Sequence, residues 1–373
     1  MKKKLLILGA SNAQIDAIQY CKKRDIEVCG CSYTTADNGI PLLDHFKRVD
    51  IKDAGGVAAY AREMGVDCVY SIGSDLAIPT AMKVSEMMGL PHFISHETAE
   101  KCHSKHLMRE ALGKSFKGNA EFISCETLED AKAFQNYPAM MKPVDSQGQR
   151  GCFKVDSFED VKERFASSFE YSIEGKVIIE TYIEGPEISV NAYFQDGIMK
   201  FAVVSDRIVF DEYPGGIIKE HRIPSEVVDD EIEKEALDLV KRLAEKLEIT
   251  NGPCYCQIKL DSENNPVILE VAPRLDGCHM WNLIKHCCGV DLLDACFSHL
   301  LFGERVLDEV PHDKPVEHSL VFNCQETGSS FQMSKHDISK AKSAYWYYQD
   351  GDIVRKVNGF IEKCGYMICP QKS

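Results

Sequence analysis

Apolar runs and helix-period stretches take turns along the first 95 residues. Residues 3–9, 26–32 and 67–71 read as buried strands, and residues 12–23, 56–64 and 75–88 as helices. A parallel sheet with crossover helices requires this alternation, so a small doubly wound α/β unit is expected. Its first turn, Gly9-Ala-Ser-Asn-Ala-Gln14, lacks the second and third glycines of a dinucleotide fingerprint, which disfavours NAD.

From about residue 98 the texture becomes α+β. A polar helix over Glu97–Leu112 leads into short strands near Glu121–Ser124, Ala139–Lys142, Cys152–Val155 and Lys176–Ile183, with a helix over Leu128–Asn136. Strands at Ile188–Phe194 and Met199–Val204 follow, then a loop rich in glycine and charge (Asp206–Glu220) and a long helix (Asp229–Leu247). Two more strands flank Ser262-Glu-Asn-Asn265, and residues 304–373 read as a small strand-containing appendage.

Length and composition narrow the classes. A chain of 373 residues exceeds one compact core of ordinary size, and 44% hydrophobic with 27% charged residues is a globular balance. The net charge of −15 argues against nucleic acid, whose backbone is gripped by clustered Lys and Arg. Met1-Lys-Lys-Lys-Leu-Leu-Ile-Leu-Gly9 reads as a first strand rather than a signal peptide, and no apolar run is long enough to span a bilayer. The sixteen cysteines are scattered, so reduced, buried thiols in a cytoplasmic protein are expected. Cys29/Cys31, Cys254/Cys256 and Cys287/Cys288 do not make the paired Cys-x-x-Cys set that zinc favours.

The chemistry concentrates between Gln257 and Arg274. A hairpin centred between Glu263 and Asn264 sets Gln257 opposite Glu270, with Cβ atoms roughly 5 Å apart, where two oxygen ligands could hold Mg²⁺. A solvated polar pair is the alternative. Glu270 interrupts the apolar run Val267-Ile-Leu-Glu-Val-Ala, and such a carboxylate must be paired or bind a cation. Arg274 could clamp a phosphoryl or carboxylate oxygen.

Upstream, Lys142 ends the apolar segment Ala139-Met-Met-Lys142 and precedes a loop containing Ser146, Gly148 and Gly151, whose backbone N–H groups could approach phosphate. A lysine snorkelling from an edge strand is the alternative. Lys105 stands at a helix start that Ser104 or an earlier residue caps, and alone it reads as a surface lysine. Glu180 and Glu187 flank the turn Glu184-Gly-Pro186. His221 and His279 are either substrate contacts or structural.

In that order these motifs resemble the ATP-grasp superfamily, in particular its carbamoyl-phosphate-synthase-like and amino-acid-ligase-like members. The resemblance implies a Rossmann-like pre-ATP-grasp domain at 1–97 and an ATP-grasp domain at 98–303, with a lid about 115–182 and a C-terminal α+β appendage at 304–373. The nucleotide would then lie sandwiched between two α+β subdomains. It implies phosphate contacts by Lys105 and Lys142, adenine contacts by Glu180, Tyr182 and Ile183, and a ribose contact by Glu187. Gln257 and Glu270 become magnesium ligands, with manganese able to substitute, and Arg274 steadies an acyl phosphate. Where the family often has Asn, this chain has Ala272, so one side-chain ligand is missing. The implied activity is ATP-dependent activation of a carboxylate for attack by an amine, releasing ADP and phosphate. The alternatives are a formate- or bicarbonate-activating relative, and a nucleotide-binding module without turnover. Small-molecule substrates are the expected partners, without nucleic acid or membrane, and a homodimer is the candidate assembly.

Overall fold

A computed structural model of the chain describes residues 2–145, 151–213, 216–309, 314–356 and 360–371. The described residues form three sheets. The first comprises β1 (Lys4–Leu8), β2 (Glu27–Ser32), β3 (His45–Arg48) and β4 (Cys68–Tyr70), all parallel in the order β3-β2-β1-β4. Helices α1 (Asn12–Lys23) and α2 (Ala54–Met64) connect β1 to β2 and β3 to β4, and α3 (Ile78–Met88) follows β4. Gln14, 2% exposed, folds back over the first turn, where its Oε1 accepts the Ser11 N–H at 2.9 Å and its amide donates to the Ile72 carbonyl at 2.5 Å. The start of α1 is thereby capped by the chain's own side chain.

Two helices, α4 (His96–His103) and α5 (Lys105–Leu112), stand where one was expected over Glu97–Leu112. Ser104 sits between them in extended conformation (φ −99°, ψ 120°), and its hydroxyl pairs with Nδ1 of His106 at 2.8 Å. A short polar side chain that bonds locally competes with helix continuation, and here it restarts the helix at Lys105.

The second sheet is antiparallel: β5 (Phe122–Cys125), β6 (Ala139–Pro143), β7 (Phe153–Val155) and β8 (Val177–Thr181), in the order β5-β8-β6-β7. It packs on α6 (Phe158–Glu170), through a core of its own that includes Phe134, Met141, Val161 and Ile179. The helix expected over Leu128–Asn136 is only a 3₁₀ turn at Asp130–Ala133, with Pro138 soon after.

The third sheet has eight strands in the order β13-β12-β9-β10-β11-β14-β16-β15. They are β9 (Glu187–Gln195), β10 (Ile198–Val209), β11 (Ile218–Ile223), β12 (Gly252–Leu260), β13 (Pro266–Ala272), β14 (His318–Glu326), β15 (Ser343–Trp346) and β16 (Ile361–Pro370). Part of the expected loop at Asp206–Glu220 is strand, because β10 continues to Val209 and β11 begins at Ile218. The last three strands, from the segment set apart as an appendage, extend this sheet.

α7 (Asp230–Lys246) covers the sheet by the rule its sequence announces. Ala236, Leu239, Val240, Leu243 and Ala244 are buried at helical spacing, and the Asp229 carboxylate accepts the N–H groups of Glu231 and Ile232 at 3.1 and 2.9 Å. Such a cap is worth about 1 kcal/mol. α8 (Met280–Cys288) and α9 (Leu292–Phe302) gave no comparable signal. Most of α9 is buried, and a helix that is apolar all round has no polar face to reveal its period. Among the described residues no helix is long and apolar enough to cross a membrane.

Candidate active site

The three sheets and α5 converge on a cavity of about 900 Å³. That is ample for a drug-sized ligand. Lys105, Lys142, Glu180, Tyr182, Ile183, Glu187, Gln257, Glu270 and Arg274 all line it. Ser146 and Gly148 lie outside the described residues.

Gln257 on β12 pairs directly with Glu270 on β13. The route to that pairing differs from the sequence argument. Near the turn Leu260 faces Pro266, one residue out of the simple register, and a bulge between Gln257 and Ile258 restores the alignment. Ala272, buried, faces Tyr255. The Gln257 amide donates to Glu187, whose Oε1 also takes Nη1 of Arg207 at 2.6 Å. Burial raises the Glu187 carboxyl above its ordinary value, with Arg207 and Gln257 pulling the other way.

At the other wall one carboxylate gathers two cations. Glu180 accepts Lys142 through Oε1, and Nε of Arg109 through Oε2 at 3.3 Å. Burial would raise this carboxyl, but Lys142 and then Arg109 and Lys105 outweigh it and hold it at about 2. Lys142 is shifted below its usual range, first by burial, which Glu180 offsets only partly while Lys105 and Arg109 repel it. The wall therefore carries more positive charge than Glu180 neutralises, which suits phosphate oxygens. Lys105 bonds Oε2 of Glu270 at 3.3 Å; burial disfavours its charge, yet Glu270, Glu180 and Asp75 raise its pKa on balance.

The hinge runs from β8 into β9. The Tyr182 N–H donates to the Pro138 carbonyl at 3.0 Å, and Nζ of Lys259 donates to the Ile183 carbonyl at 3.1 Å. The ammonium of Lys154 lies 4.4 Å from the Tyr182 ring centre, in cation–π range. At Gly185 a Cβ would meet the Leu260 carbonyl oxygen at 2.0 Å, so only glycine lets the turn approach β12 so closely.

Arg274, 6% exposed, is clamped by Asp75: Nε and Nη2 reach Oδ1 at 2.7 and 2.5 Å, and Nη1 donates to the Leu275 carbonyl at 3.1 Å. Asp75 follows β4 at the carboxyl edge of the parallel sheet, where open α/β sheets present ligand-binding loops. Gly73 anchors this loop, its N–H donating to the Leu275 carbonyl at 3.0 Å.

Of the two histidines left open, His279 is engaged on both sides. Its Nδ1 lies 2.5 Å from Asp16 Oδ2 and its Nε2 2.5 Å from the Tyr347 hydroxyl, and Tyr366 stacks on it at 4.3 Å. It ties α1 to the C-terminal strands. His221 is fully buried with neither ring nitrogen in a well-formed hydrogen bond, and burial, with Arg207 and Lys363 nearby, outweighs the pull of the adjacent Asp206 backbone and pushes its pKa down to about 3.

Sequence reasoning missed Asp75, Arg109, Arg207, Lys259, Asp276 and Cys278. Arg109 carried a signal, standing four residues after Lys105 on one helix face. Arg207 interrupts a mostly apolar strand, as Glu270 does. Asp75 is placed only by the docking of the first sheet. Cys29, Cys31, Cys254, Cys256 and Cys287 are buried free thiols, and Cys288 is half-buried.

Residues 135–281 match the family model for the ATP-grasp domain. The chain is 23% identical over 283 residues to alanine–anticapsin ligase of Bacillus subtilis (strain 168), covering 69% of this chain and 60% of that protein. It spans 57–60% of the length of the first curated relatives it matches. In three dimensions it is similar to L-amino acid ligase from Bacillus licheniformis, with a TM-score of 0.81 at 18% identity over 100% of this chain and 94% of that one. Phosphoribosylglycinamide synthetase from Anaerococcus prevotii gives 0.80 at 17% identity, over 100% of this chain and 95% of that one. The cavity, walled by paired lysines and carboxylates, is lined largely by the matched segment, and residues 135–281 carry the ATP-grasp domain.

Proposed function

We propose that this protein is an ATP-dependent carboxylate–amine ligase, which activates a carboxylate as an acyl phosphate and passes the acyl group to an amine. The observation that carries the reading is the Gln257–Glu270 pair on adjacent strands, facing the cavity between Lys105 and Arg274. In this reading residues 1–97, 98–303 and 304–373 are the working units, with 115–182 as the lid. Two of the similar proteins are amino-acid ligases by name, which favours an amino acid as the carboxylate.

The donor set fits a hard cation: an amide oxygen and a carboxylate, half-buried at the cavity wall. Gln257 and Glu270 would hold magnesium, or manganese in its place, whose contribution when bound is to neutralise charge on the transferring phosphoryl group. Lys105 and Lys142 bind and orient the phosphates, and Glu180 keeps Lys142 aimed across the cavity. Glu180, Tyr182 and Ile183 take the adenine and Glu187 the ribose. Arg274, fixed by Asp75, presents its guanidinium where the acyl phosphate forms. No side-chain nucleophile is required, because holding two substrates beside ATP supplies much of the rate.

A screen of amino acids, singly and in pairs, for ADP and phosphate release tests the proposal, with formate and bicarbonate as parallel arms. Release that requires an amino acid supports it. Release with formate or bicarbonate alone moves the assignment to the one-carbon relatives. Tight ATP binding without release in any mixture identifies a nucleotide-binding module, the reading that Ala272 favours.

A further inference from the structure

β11 delivers His221 into the interior with neither ring nitrogen in a well-formed hydrogen bond. A buried polar atom left without a partner costs about 1–3 kcal/mol, so the arrangement calls for an explanation. The ring faces the segment that follows β13. Ligand atoms of His221, Asp276 and Cys278 all lie within 4.8 Å of one another. Asp276 uses Oδ1 to accept the Met280 N–H at 3.1 Å. Asp276 and Cys278 both line the cavity.

We propose that His221, Asp276 and Cys278 form a second cation site, for a borderline-soft divalent metal of the zinc class, distinct from the hard-cation pair Gln257 and Glu270. An imidazole nitrogen, a carboxylate oxygen and a sulfur are a mixed set that zinc accepts and magnesium does not. Tetrahedral bonds of about 2.0–2.3 Å put ligand atoms about 3.5 Å apart, so side-chain rotations moving atoms by about 1 Å close the set. On binding, the Cys278 S–H proton leaves to solvent and the metal–sulfur bond replaces it.

Charge supports the assignment. A thiolate and a carboxylate balance a dication, and the two nearby guanidiniums are already compensated, Arg207 by Glu187 and Arg274 by Asp75. Nζ of Lys363, 3.8 Å from Cys278 Sγ, is placed to donate to the thiolate from outside the coordination sphere. Three protein ligands would leave a fourth position for water or substrate, and Asp276 and Cys278 line the same cavity as Arg274.

The test uses the full chain, freed of metal by a chelator and titrated with cobalt(II) and then zinc in excess magnesium. We expect one equivalent of cobalt with a sulfur-to-cobalt charge-transfer band, displaced by one equivalent of zinc. Zinc should also slow alkylation of Cys278, read by peptide mass, by at least roughly tenfold. Cys278→Ser should abolish the band, and His221→Gln should weaken zinc by roughly 10- to 100-fold. A wild-type protein without the band, a band that survives Cys278→Ser, or zinc protection of other cysteines but not Cys278 would each overturn the proposal. The wild-type spectra and alkylation decide the matter even if a variant fails to fold. Neither outcome depends on ligase turnover.

Discussion

Nζ of Lys105 lies 3.3 Å from Oε2 of Glu270, joining a candidate phosphate ligand to a candidate metal ligand across 165 residues of sequence. Under the proposed function both must exchange partners when magnesium and ATP enter, Lys105 for phosphate and Glu270 for the cation. Glu270→Ala should therefore separate two quantities. Turnover should fall at least about 100-fold, while ATP affinity measured in a chelator stays the same or tightens, because Lys105 is released. Calorimetry beside an ADP-release assay checks this, and near-normal turnover would remove Glu270 from the site.

Lys142 differs from Lys105 in having a buried partner that keeps another cation when the lysine is lost. In Lys142→Ala, Glu180 still has Arg109, so the fold should survive while the phosphates lose a charge-assisted contact. We expect the ATP dissociation constant to rise about 10- to 100-fold, equivalent to about 1.4–2.7 kcal/mol. An unchanged constant would mean that Lys142 serves Glu180 alone.

The depressed Glu180 carboxyl makes a pH prediction. Its folded pKa of about 2 lies below the ordinary 4.5, so the folded state holds the proton less tightly than the unfolded chain does. The resulting stability is fully present above about 4.5 and drains away as pH falls toward about 2. Urea midpoints between those limits should fall with pH in the wild type. Glu180→Gln, less stable at neutral pH because Lys142 and Arg109 lose their counter-charge, should show a shallower fall. Equal slopes would contradict the assignment.

Gly73 couples the first sheet to the site. It sits at φ +64°, and a Cβ there would come 2.8 Å from the Cα of Gly277. Gly73→Val should cost about 1–3 kcal/mol in stability. It should also lower kcat more than it weakens ATP, since it displaces Asp75, which orients Arg274, and leaves the adenine end untouched. Asp75→Asn should reproduce the kcat effect with less loss of stability. Normal kcat in both would detach Arg274 from the chemistry.

How much of this was readable follows from how each residue reaches its place. The helix at 12–23 and the strands around it were legible because local periodicity and burial coincide there. The Gln257–Glu270 pairing was legible because a hairpin is short-range, although the bulge beside Gln257 was not. Arg207 was passed over although its partner Glu187 lies on the adjacent strand of the same hairpin, and Asp75 was hidden because Arg274 is brought to it by docking of distant strands. The cluster of His221 with Asp276 and Cys278 escaped for the same reason, since cysteine spacing reports only local ligand sets.

The most direct test of carboxylate activation is trapping by hydroxylamine. Purified protein with ATP and magnesium is incubated with the amino acid panel in its presence, and hydroxamate is measured against ADP. The proposed function predicts equal amounts of the two, dependent on a carboxylate substrate and absent in Glu270→Ala. ADP formed without hydroxamate, or ATP held tightly with no ADP in any mixture, would contradict it.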